Sequence, residues 1–424
     1  MSSSEQSSAA LSAEYELQAA RQHLHAGRSA EAEQSYQRAL EMLPDSSEAL
    51  VFLGNAAQAR GDGGIAVSLL SRAAKADPAN LDILVHLGAV YRAAERFDAA
   101  RYVLERAVRL AAGRNPHARL TLAGVLELDE RPDLALLQYC RALIEAQRIG
   151  RWTLRDDRTA GLKTQIEHAR QYVDAGRKVW FEAVLRGLAD GGAAQPSARI
   201  AAALDSYLQG RQPELSDPQQ RAGIMYVPGL ETSRFIDTAR FDWLDRLPPT
   251  IAPCIGEMQQ CVASSTASGQ SSAGAAALSV AVLKAGVVQY EPRRVAPMLL
   301  SALRGLPLAD VQHHAPDVDI IALRAGTQLA RRYGRSNSFC RVVVNSGGAA
   351  LQVSVAGESR VLQPADVAVV DPSFGIEYLN VGQAPALALV LEAWHPDLSD
   401  SEQRAISGLI AAVEEFDNRM QELD

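Results

Sequence analysis

The sequence predicts an α + β multidomain protein, with an α-helical solenoid in its N-terminal third and a β-rich domain in its second half. Three observations support this fold class. The chain has 424 residues, and at roughly 150 residues per domain this length favours two or three domains. A repeat with a fixed period runs through the N-terminal third. Short apolar runs separated by turn signals dominate from about residue 221 onward.

Composition and charge exclude several classes of function. Hydrophobic residues make up 47% of the chain and charged residues 22%, which is the balance of an ordinary globular protein. The net charge of -8 gives no electrostatic reason to expect nucleic acid or an anionic membrane as a partner. The longest nearly apolar stretch, residues 274–283, is far shorter than the roughly 20 residues that cross a bilayer. We therefore expect no nucleic-acid partner and no membrane partner.

The N-terminus and the cysteines indicate the compartment. Residues 1–12 are rich in Ser and lack a basic region followed by an apolar one, so we expect a disordered tail rather than an export signal. The four cysteines match no zinc or redox spacing: Cys140, Cys254, Cys261 and Cys340. A cytoplasmic location with reduced thiols is the expectation.

The period of the N-terminal repeat is 34 residues, because Pro44 and Pro78 are separated by this distance, as are Gly54 and Gly88. A small residue also recurs in each unit, seven positions before a second one: Ala32, Ala66, Ala100 and Ala135. Small side chains let two helices approach closely, and Gly or Pro at the helix ends turns the chain back. The pattern predicts a helix–turn–helix solenoid.

These positions resemble tetratricopeptide repeats (TPR), with about four units in residues 13–147; a general helical bundle is the alternative. The resemblance implies a concave row of first-helix side chains that binds an extended or helical peptide. It places five polar residues on that row: Glu48, Asn55, Gln58, Asp82 and Arg92. A protein or peptide held in this groove is the first expected partner. The alternative is that the array packs against the rest of its own chain.

The remainder of the chain divides by pattern. Residues 148–220 keep the spacing of an amphipathic helix without a clear repeat, and we interpret them as a helical connector. Residues 221–400 contain short apolar or alternating runs with glycine-containing turns, which are typical of a sandwich, jelly roll or barrel. The Ser/Ala/Gly-rich stretch at residues 262–279 predicts a flexible insertion. Residues 401–424 are assigned to a C-terminal helix.

Arginine is dense beside the predicted strands, where five occur within 18 residues: Arg324, Arg331, Arg332, Arg335 and Arg341. If these strands face a pocket, the guanidinium groups form a site for a carboxylate or phosphate. An anionic small molecule is therefore the second expected partner. Surface arginines that flank a strand are the alternative.

Several motifs of the second half occur in a recognisable order: YVPGL at residues 226–230, FDWL at 241–244, LRAGT at 323–327, DPSF at 371–374 with Asn380, and WHPDLS at 394–399. In these motifs the chain resembles the aspartyl/asparaginyl β-hydroxylase family, over roughly residues 220–400. The resemblance implies a double-stranded β-helix, a cupin-like jelly roll, that holds Fe(II) and 2-oxoglutarate. Family members of this kind hydroxylate Asp or Asn side chains, and some also carry tetratricopeptide repeats.

The chain departs from the family at the residues that the resemblance implies for chemistry. Arg332 and Ile376 stand at the two positions of the iron-ligating histidines, and neither supplies an imidazole nitrogen. On the co-substrate side, Arg341 matches a family arginine, whereas Val343 replaces a histidine and Ala386 replaces a second arginine. We therefore expect no metal and no cofactor, where the family would use Fe(II) and 2-oxoglutarate.

The sequence predicts a noncatalytic peptide- or protein-binding protein, and it assigns no catalytic residue. The alternative is an active Fe(II)/2-oxoglutarate-dependent dioxygenase that hydroxylates Asp or Asn side chains of a protein or a small molecule. The residues at positions 332 and 376 discriminate these two hypotheses, and they favour the first.

Overall fold

The structure of the chain, a computed structural model, describes residues 3–152, 161–190, 198–209, 214–221, 225–267 and 276–423. The chain forms two compact units. Residues 1–177 together with 416–424 form the first, and residues 178–415 form the second. The helical connector expected over residues 148–220 is thus divided between the two units.

The first unit is a helical solenoid in which each helix packs against the next one along the chain. Its described helices are α1 (Ser3–His25), α2 (Ser29–Met42), α3 (Ser47–Ala59), α4 (Gly63–Ala76), α5 (Leu81–Ala93), α6 (Phe97–Ala111), α7 (Pro116–Leu128) and α8 (Pro132–Arg148), followed by the start of α9 (Lys163–Asp190). The helical part of the predicted fold class is therefore correct.

Each helix pair turns at a residue in the left-handed backbone conformation. Gly27 and Gly61 have φ angles of 73° and 87°, and Glu95 and Glu130 at the equivalent positions have φ angles of 55°. This conformation directs the next N–H groups back to the last carbonyls of the helix. Glycine adopts it without a steric penalty from Cβ, but the two glutamates show that the repeat requires the conformation rather than glycine itself.

Small residues hold the paired helices close together. The four alanines that mark the period are fully buried: Ala32, Ala66, Ala100 and Ala135. At Gly88 a Cβ atom would lie 2.4 Å from Leu104 Cγ, and at Gly54 it would lie 2.8 Å from Leu70 Cγ. Since these distances leave no room for a larger side chain, the 34-residue period records where helices touch.

The disordered tail expected at residues 1–12 is wrong for residues 3–12, which form the first turns of α1. Ala, Glu and Gln in this stretch are good helix formers. Farther along the same helix, Ala13, Leu17 and Ala20 are buried, and α1 packs on α2. Packing of the later turns thus supports the helix from which residues 3–12 extend.

The second unit contains strands and helices in alternation. Its described strands are β1 (Phe235–Ile236), β2 (Ala277–Lys284), β3 (Val287–Val288), β4 (Val318–Leu323), β5 (Gln328–Arg332), β6 (Phe339–Gly348), β7 (Leu351–Val355), β8 (Glu358–Leu362), β9 (Val367–Val370), β10 (Ile376–Asn380) and β11 (Ala386–Trp394). The remaining helices are α10 (Ala198–Leu208), α11 (Leu247–Ile251), α12 (Ile255–Ala267), α13 (Tyr290–Val295), α14 (Pro297–Arg304) and α15 (Asp400–Gln421), with short 3-10 turns around residues 238–254.

The strands form two antiparallel sheets. Within the described residues, one has the order β1-β9-β6-β11-β4-β2-β3 and the other the order β5-β10-β7-β8. A hydrophobic cluster takes residues from both sheets, with Val343 and Val390 from the larger sheet and Val353 and Tyr378 from the smaller. The sheets therefore pack face to face, and positions on β5 and β10 lie opposite positions on β4, β6 and β11.

The outer face of the larger sheet is covered by helices. Leu389 and Leu391 of β11 pack with Met258 of α12 and Leu299 of α14, whereas Val390 belongs to the cluster between the sheets. This alternation follows from the two-residue period of a strand. The C-terminal region is thus an antiparallel-sheet domain, which together with the solenoid makes the chain an α + β protein.

The flexible insertion predicted at residues 262–279 is wrong at both of its ends. Residues 262–267 complete α12, where Cys261 and Ser265 are buried. Residues 277–279 begin β2, which pairs with β4. Alanine favours helix, and packing of α12 against the sheet outweighs the linker-like composition. The central part of the predicted insertion, residues 268–275, lies outside the described residues.

None of the described helices has both the length and the apolar character needed to cross a membrane.

The solenoid register leads to a test at Ala100. We expect Ala100→Leu to lower the free energy of unfolding by about 1 to 3 kcal/mol, because the larger side chain overpacks a closed helix interface. Denaturant unfolding measures the change, with Ala30→Leu as the control, since Ala30 is an exposed residue of α2. An Ala100→Leu variant as stable as the wild type would contradict the register.

Candidate functional site

The concave row predicted in the solenoid begins with Glu48 on α3, which is already engaged within the unit. Arg21 Nε donates a hydrogen bond to Glu48 Oε1 at 2.9 Å, and the Tyr36 hydroxyl donates to the same oxygen at 3.0 Å. The hydrogen bond from Arg21 holds the pKa of Glu48 below its ordinary value. Glu48 therefore joins neighbouring helices in addition to any contact with a ligand.

The next predicted residues lie nearer solvent. Asn55 is exposed and Gln58 is half-buried. Asn55 Nδ2 lies 3.3 Å from Nδ1 of His86, a residue on α5 that the sequence pattern did not select. Since α3 and α5 are first helices of successive repeats, this contact shows that their polar residues face the same groove.

Asp82 and Arg92 line two separate cavities of the first unit. Asp82 borders a cavity of ≈ 270 Å³ together with His117 and Trp152. Burial holds the pKa of His117 below its ordinary value. Arg92 borders a cavity of ≈ 390 Å³, between α5, α7, α8 and α9.

The cavity at Arg92 has mainly apolar walls and one polar cluster. Its lining includes Leu120, Gly124 and Leu128. Glu127 accepts a hydrogen bond from the Tyr139 hydroxyl at 2.8 Å, and its carboxylate lies 2.8 Å from His168 Nε2. Burial raises the pKa of Tyr139, and the hydrogen bond to Glu127 raises it further.

The repeat period could have identified two cavity residues that the predicted row does not include. His117 and Glu127 follow Asp82 and Arg92 by one period plus the single residue inserted before the fourth repeat. Extending the predicted row by that distance selects both of them. His168 has no such signal, because it lies on α9 outside the recognisable repeats.

The five arginines predicted as an anion site are separated by the structure. Arg332, Arg335 and Arg341 line one cavity of ≈ 170 Å³ between the sheets of the second unit. Arg324 lines a different, mainly apolar cavity of ≈ 460 Å³. Arg331 is exposed and pairs with Glu377. A single five-arginine site is therefore wrong, and three of the five remain together.

The two positions that the resemblance implies for iron ligation do meet in space. Arg332 on β5 and Ile376 on β10 are directly paired across the smaller sheet, and both line the 170 Å³ cavity. Val343 is buried in the cluster between the sheets. Ala386 borders the cavity of Arg324 instead.

Arg341 is neutralised within the protein. Its Nη2 lies 3.4 Å from Glu392 Oε1 and 3.8 Å from Asp317 Oδ2. Burial opposes the charged form of Arg341, but Glu392 and its other anionic neighbours raise the net pKa above the ordinary value. Arg341, the arginine for which the resemblance implies a co-substrate role, is thus occupied by internal carboxylates.

Asp317 receives further partners at the edge of the cavity. Lys284 Nζ lies 2.6 Å from its Oδ2, and the Ala285 N–H donates to its Oδ1 at 2.8 Å. Burial would raise the pKa of Asp317, but these two donors and the charge of Arg341 lower it below the ordinary value. The carboxylate is consequently held ionised.

Four more polar groups of the cavity belong to four different strands. Arg332 Nη1 donates to Ser279 Oγ at 3.0 Å. Tyr378 is 4% exposed, and burial raises its pKa to about 12. Asp319 on β4 also lines the cavity, and its charge acts on the nearby Arg341.

An Fe(II) ion does not fit the residues at these positions. A guanidinium is a cation with no lone pair available to iron, and an isoleucine side chain has no donor atom. Within the described ranges, no group of three or more His, Cys, Asp or Glu side chains is arranged to hold a metal. The donor set at Arg332 and Ile376 therefore disagrees with the cofactor that the resemblance implies.

The ion pair of Lys284 with Asp317 leads to a prediction about pH. Because the pKa of Asp317 is lowered in the folded state, its stabilising effect is present above the ordinary carboxyl pKa of about 4 and is lost as the pH falls through the lowered value. We expect Lys284→Met to reduce the free energy of unfolding by up to about 1 kcal/mol at neutral pH, since Lys284 is half exposed. The difference from the wild type should shrink below about pH 4.

Urea unfolding at neutral and acidic pH measures this difference. Lys75→Met is the matched control, because Lys75 is an exposed residue of α4 with no ion pair among the described residues. An equal loss of stability by Lys284→Met at both pH values would contradict the assignment.

Comparison with known proteins identifies the repeats. The family described as Tetratricopeptide repeat matches residues 17–80, 53–115 and 87–148. Among solved structures, MamA is 22% identical with a TM-score of 0.31, over 32% of this chain and 80% of that chain. A Thermobaculum terrenum O-GlcNAc transferase mutant is 27% identical with a TM-score of 0.29, over 33% of this chain and 26% of that chain.

PilF of Pseudomonas aeruginosa is 18% identical with a TM-score of 0.31, over 39% of this chain and 75% of that chain. No curated protein matches the sequence significantly. The family match confirms that the N-terminal helical region consists of tetratricopeptide repeats, which are protein-binding repeats.

Proposed function

We propose that this protein is a noncatalytic peptide- or protein-binding member of the aspartyl/asparaginyl β-hydroxylase family with tetratricopeptide repeats. One observation carries the proposal: Arg332 and Ile376 are paired across β5 and β10 at a cavity between two antiparallel sheets. The resemblance implies two histidines at these positions, and their replacements leave iron without ligands.

The motif residues with structural roles support the resemblance to the family. Asn380 Nδ2 donates to the carbonyl oxygens of Leu323 and Ala384, at 3.0 and 2.8 Å, and thereby joins two strand ends. Asp371 Oδ1 accepts the Ser373 N–H at 2.8 Å in the turn before β10. The motif side chains that hold strands and turns together are present, whereas the side chains that would ligate iron are replaced. This combination is expected of a protein that uses the fold only for binding.

The groove of the solenoid supports binding of a peptide. Asn55, His86, Arg92 and Glu127 present mixed polar groups on α3, α5 and α7. Such groups bind peptide backbone and charged side chains. The apolar cavity beside Arg92 has the size and lining to take one large side chain of a ligand. We therefore assign the recruiting function to the repeats.

The noncatalytic assignment predicts the outcome of a chemical assay. We expect the purified protein to retain no stoichiometric iron and to form no succinate from 2-oxoglutarate, alone or with Asp-containing peptides, because positions 332 and 376 provide no ligand. Metal analysis and succinate detection test this. Iron-dependent succinate formation that is lost on chelation would establish the alternative, an active dioxygenase.

The groove assignment predicts the effect of a charge reversal. Peptides selected from a random display library by the full chain should bind Arg92→Glu at least about tenfold more weakly, a loss of about 1.4 kcal/mol. Tyr102→Ser is the control, because Tyr102 is 68% exposed on the second helix of its repeat. Selected peptides that bind Arg92→Glu as tightly as the wild type would place the binding surface elsewhere.

A further inference from the structure

The 460 Å³ cavity that Arg324 borders lies at one end of the larger sheet. Its floor is the last row of paired residues on the helix-covered face of four neighbouring strands. Across β6, β11, β4 and β2 this row consists of Gly347, Leu387, Ala322 and Leu278. The cavity of Arg332 extends to Lys284 at the other end of β2, and the two cavities have no described lining residue in common. They are therefore separate recesses.

Small residues in the floor leave this recess open. In the adjacent row of the same face, branched apolar side chains fill the space under the helices: Val344, Leu389, Ile320 and Val280. The last row has Gly347 and Ala322 at the positions on β6 and β4. A Cβ atom built at Gly347 would have one described atom within 4 Å, Cδ1 of Ile255 at 3.8 Å. The cavity is consequently a result of residue size in this row.

Helix α12 forms the opposite wall. Ile255, Gln259 and Val262 line the cavity, and their spacing of four and three residues places them on one face of the helix. Ile255 and Val262 are half-buried, as is Leu387 in the floor. Apolar surface that is only partly removed from water favours a ligand with a hydrocarbon body.

One charge stands beside these apolar walls. Arg324 is the single charged residue in the described lining of the cavity, and within the described residues its side chain has no ion pair or hydrogen bond. Its backbone is fixed at the end of β4, because its N–H donates to the Ala276 carbonyl at 2.9 Å and the Thr327 hydroxyl donates to its carbonyl at 2.8 Å. A guanidinium group without a carboxylate partner favours an anion, and its donor geometry suits a carboxylate.

The volume limits the length of the ligand. A cavity of ≈ 460 Å³ corresponds to roughly fifteen water-sized groups at about 30 Å³ each, and it falls within the range of roughly 300 to 1,000 Å³ that is typical of small-molecule sites. One charge and mainly apolar walls together match a molecule with one anionic group and an aliphatic body.

We infer that this cavity binds an aliphatic carboxylate of about eight to twelve carbon atoms, with its hydrocarbon chain between α12 and the last row of the sheet and its carboxylate at Arg324. The site lies outside the groove of the repeats and outside the cavity of Arg332. It therefore adds a small-molecule ligand to the proposed function and does not depend on it.

Three probes separate the contributions of the two ends, with the full-length protein at neutral pH. Octanoate has both the chain and the charge, 1-octanol lacks the charge, and acetate lacks the chain. Titration calorimetry should show octanoate binding at least about tenfold more tightly than acetate, which cannot bury the methylene groups. Octanoate should also bind at least about fivefold more tightly than 1-octanol, because only the carboxylate makes charge-assisted hydrogen bonds with a guanidinium.

Two variants locate the probes in the cavity. Arg324→Met keeps an apolar stem of similar length, so it should weaken octanoate at least about fivefold and leave 1-octanol no weaker. Ala322→Leu fills the floor and should weaken octanoate and 1-octanol alike. Arg304→Met is the matched control, because Arg304 at the end of α14 is exposed, has no ion pair in the described part of the chain and does not line the cavity. A thermal melt of each variant checks folding.

Three outcomes would overturn the inference. Octanoate that does not bind, or that binds no more tightly than acetate, would exclude the aliphatic site. 1-Octanol bound as tightly as octanoate would indicate an uncharged apolar occupant, such as a hydrophobic segment of another protein. An equal loss of octanoate binding in Arg304→Met and Arg324→Met would place the anion elsewhere. Neither iron nor the groove of the repeats enters these assays, so each of these outcomes leaves the proposed function standing.

Discussion

The buried charge of Arg341 is the constraint on which the interior of the second unit depends. A guanidinium enclosed between two sheets is strongly destabilising unless carboxylates surround it. Glu392 on β11 and Asp317 beside β4 supply them, and the Asp317 N–H donates to Glu392 at 3.0 Å. Since β6, β11 and β4 are neighbours in one sheet, this cluster joins three adjacent strands. It also removes Arg341 from the charges available to a ligand.

The other two arginines of this cavity come from a different part of the fold. Arg332 and Arg335 lie at the end of β5 and after it, in a segment of the smaller sheet. Neither has a carboxylate partner among the residues that the structure describes. The cavity thus combines Arg341, which internal carboxylates neutralise, with two arginines that have no carboxylate partner within the described part of the chain.

In the solenoid, packing and recognition use different residues of the same repeat. The helices approach each other most closely at the small residues, such as Gly88 against Leu104. These positions hold the repeat together. The groove is left to polar residues such as Asn55 and Arg92, which the period does not constrain to one type. The polar residues of the groove are therefore not the residues that hold the helices together.

The sequence by itself determined the features that depend on local pattern. The 34-residue period established the repeats, because helix contacts recur at fixed spacing, and alternating apolar runs indicated the sheets. The sequence also shows that Arg332 and Ile376 stand where the resemblance implies histidines.

Only the tertiary structure decided which residues act together. Local composition predicted a tail and a linker where residues 3–12 and 262–267 are helical, since packing elsewhere in each helix outweighs composition. Five clustered arginines suggested one site, yet Arg331 points to Glu377, Arg324 lines another cavity and Arg341 is neutralised. The partners that separate them, Glu377, Glu392 and Asp317, come from strands or strand ends distant in the chain. Their positions follow from strand order and register, which no local pattern contains.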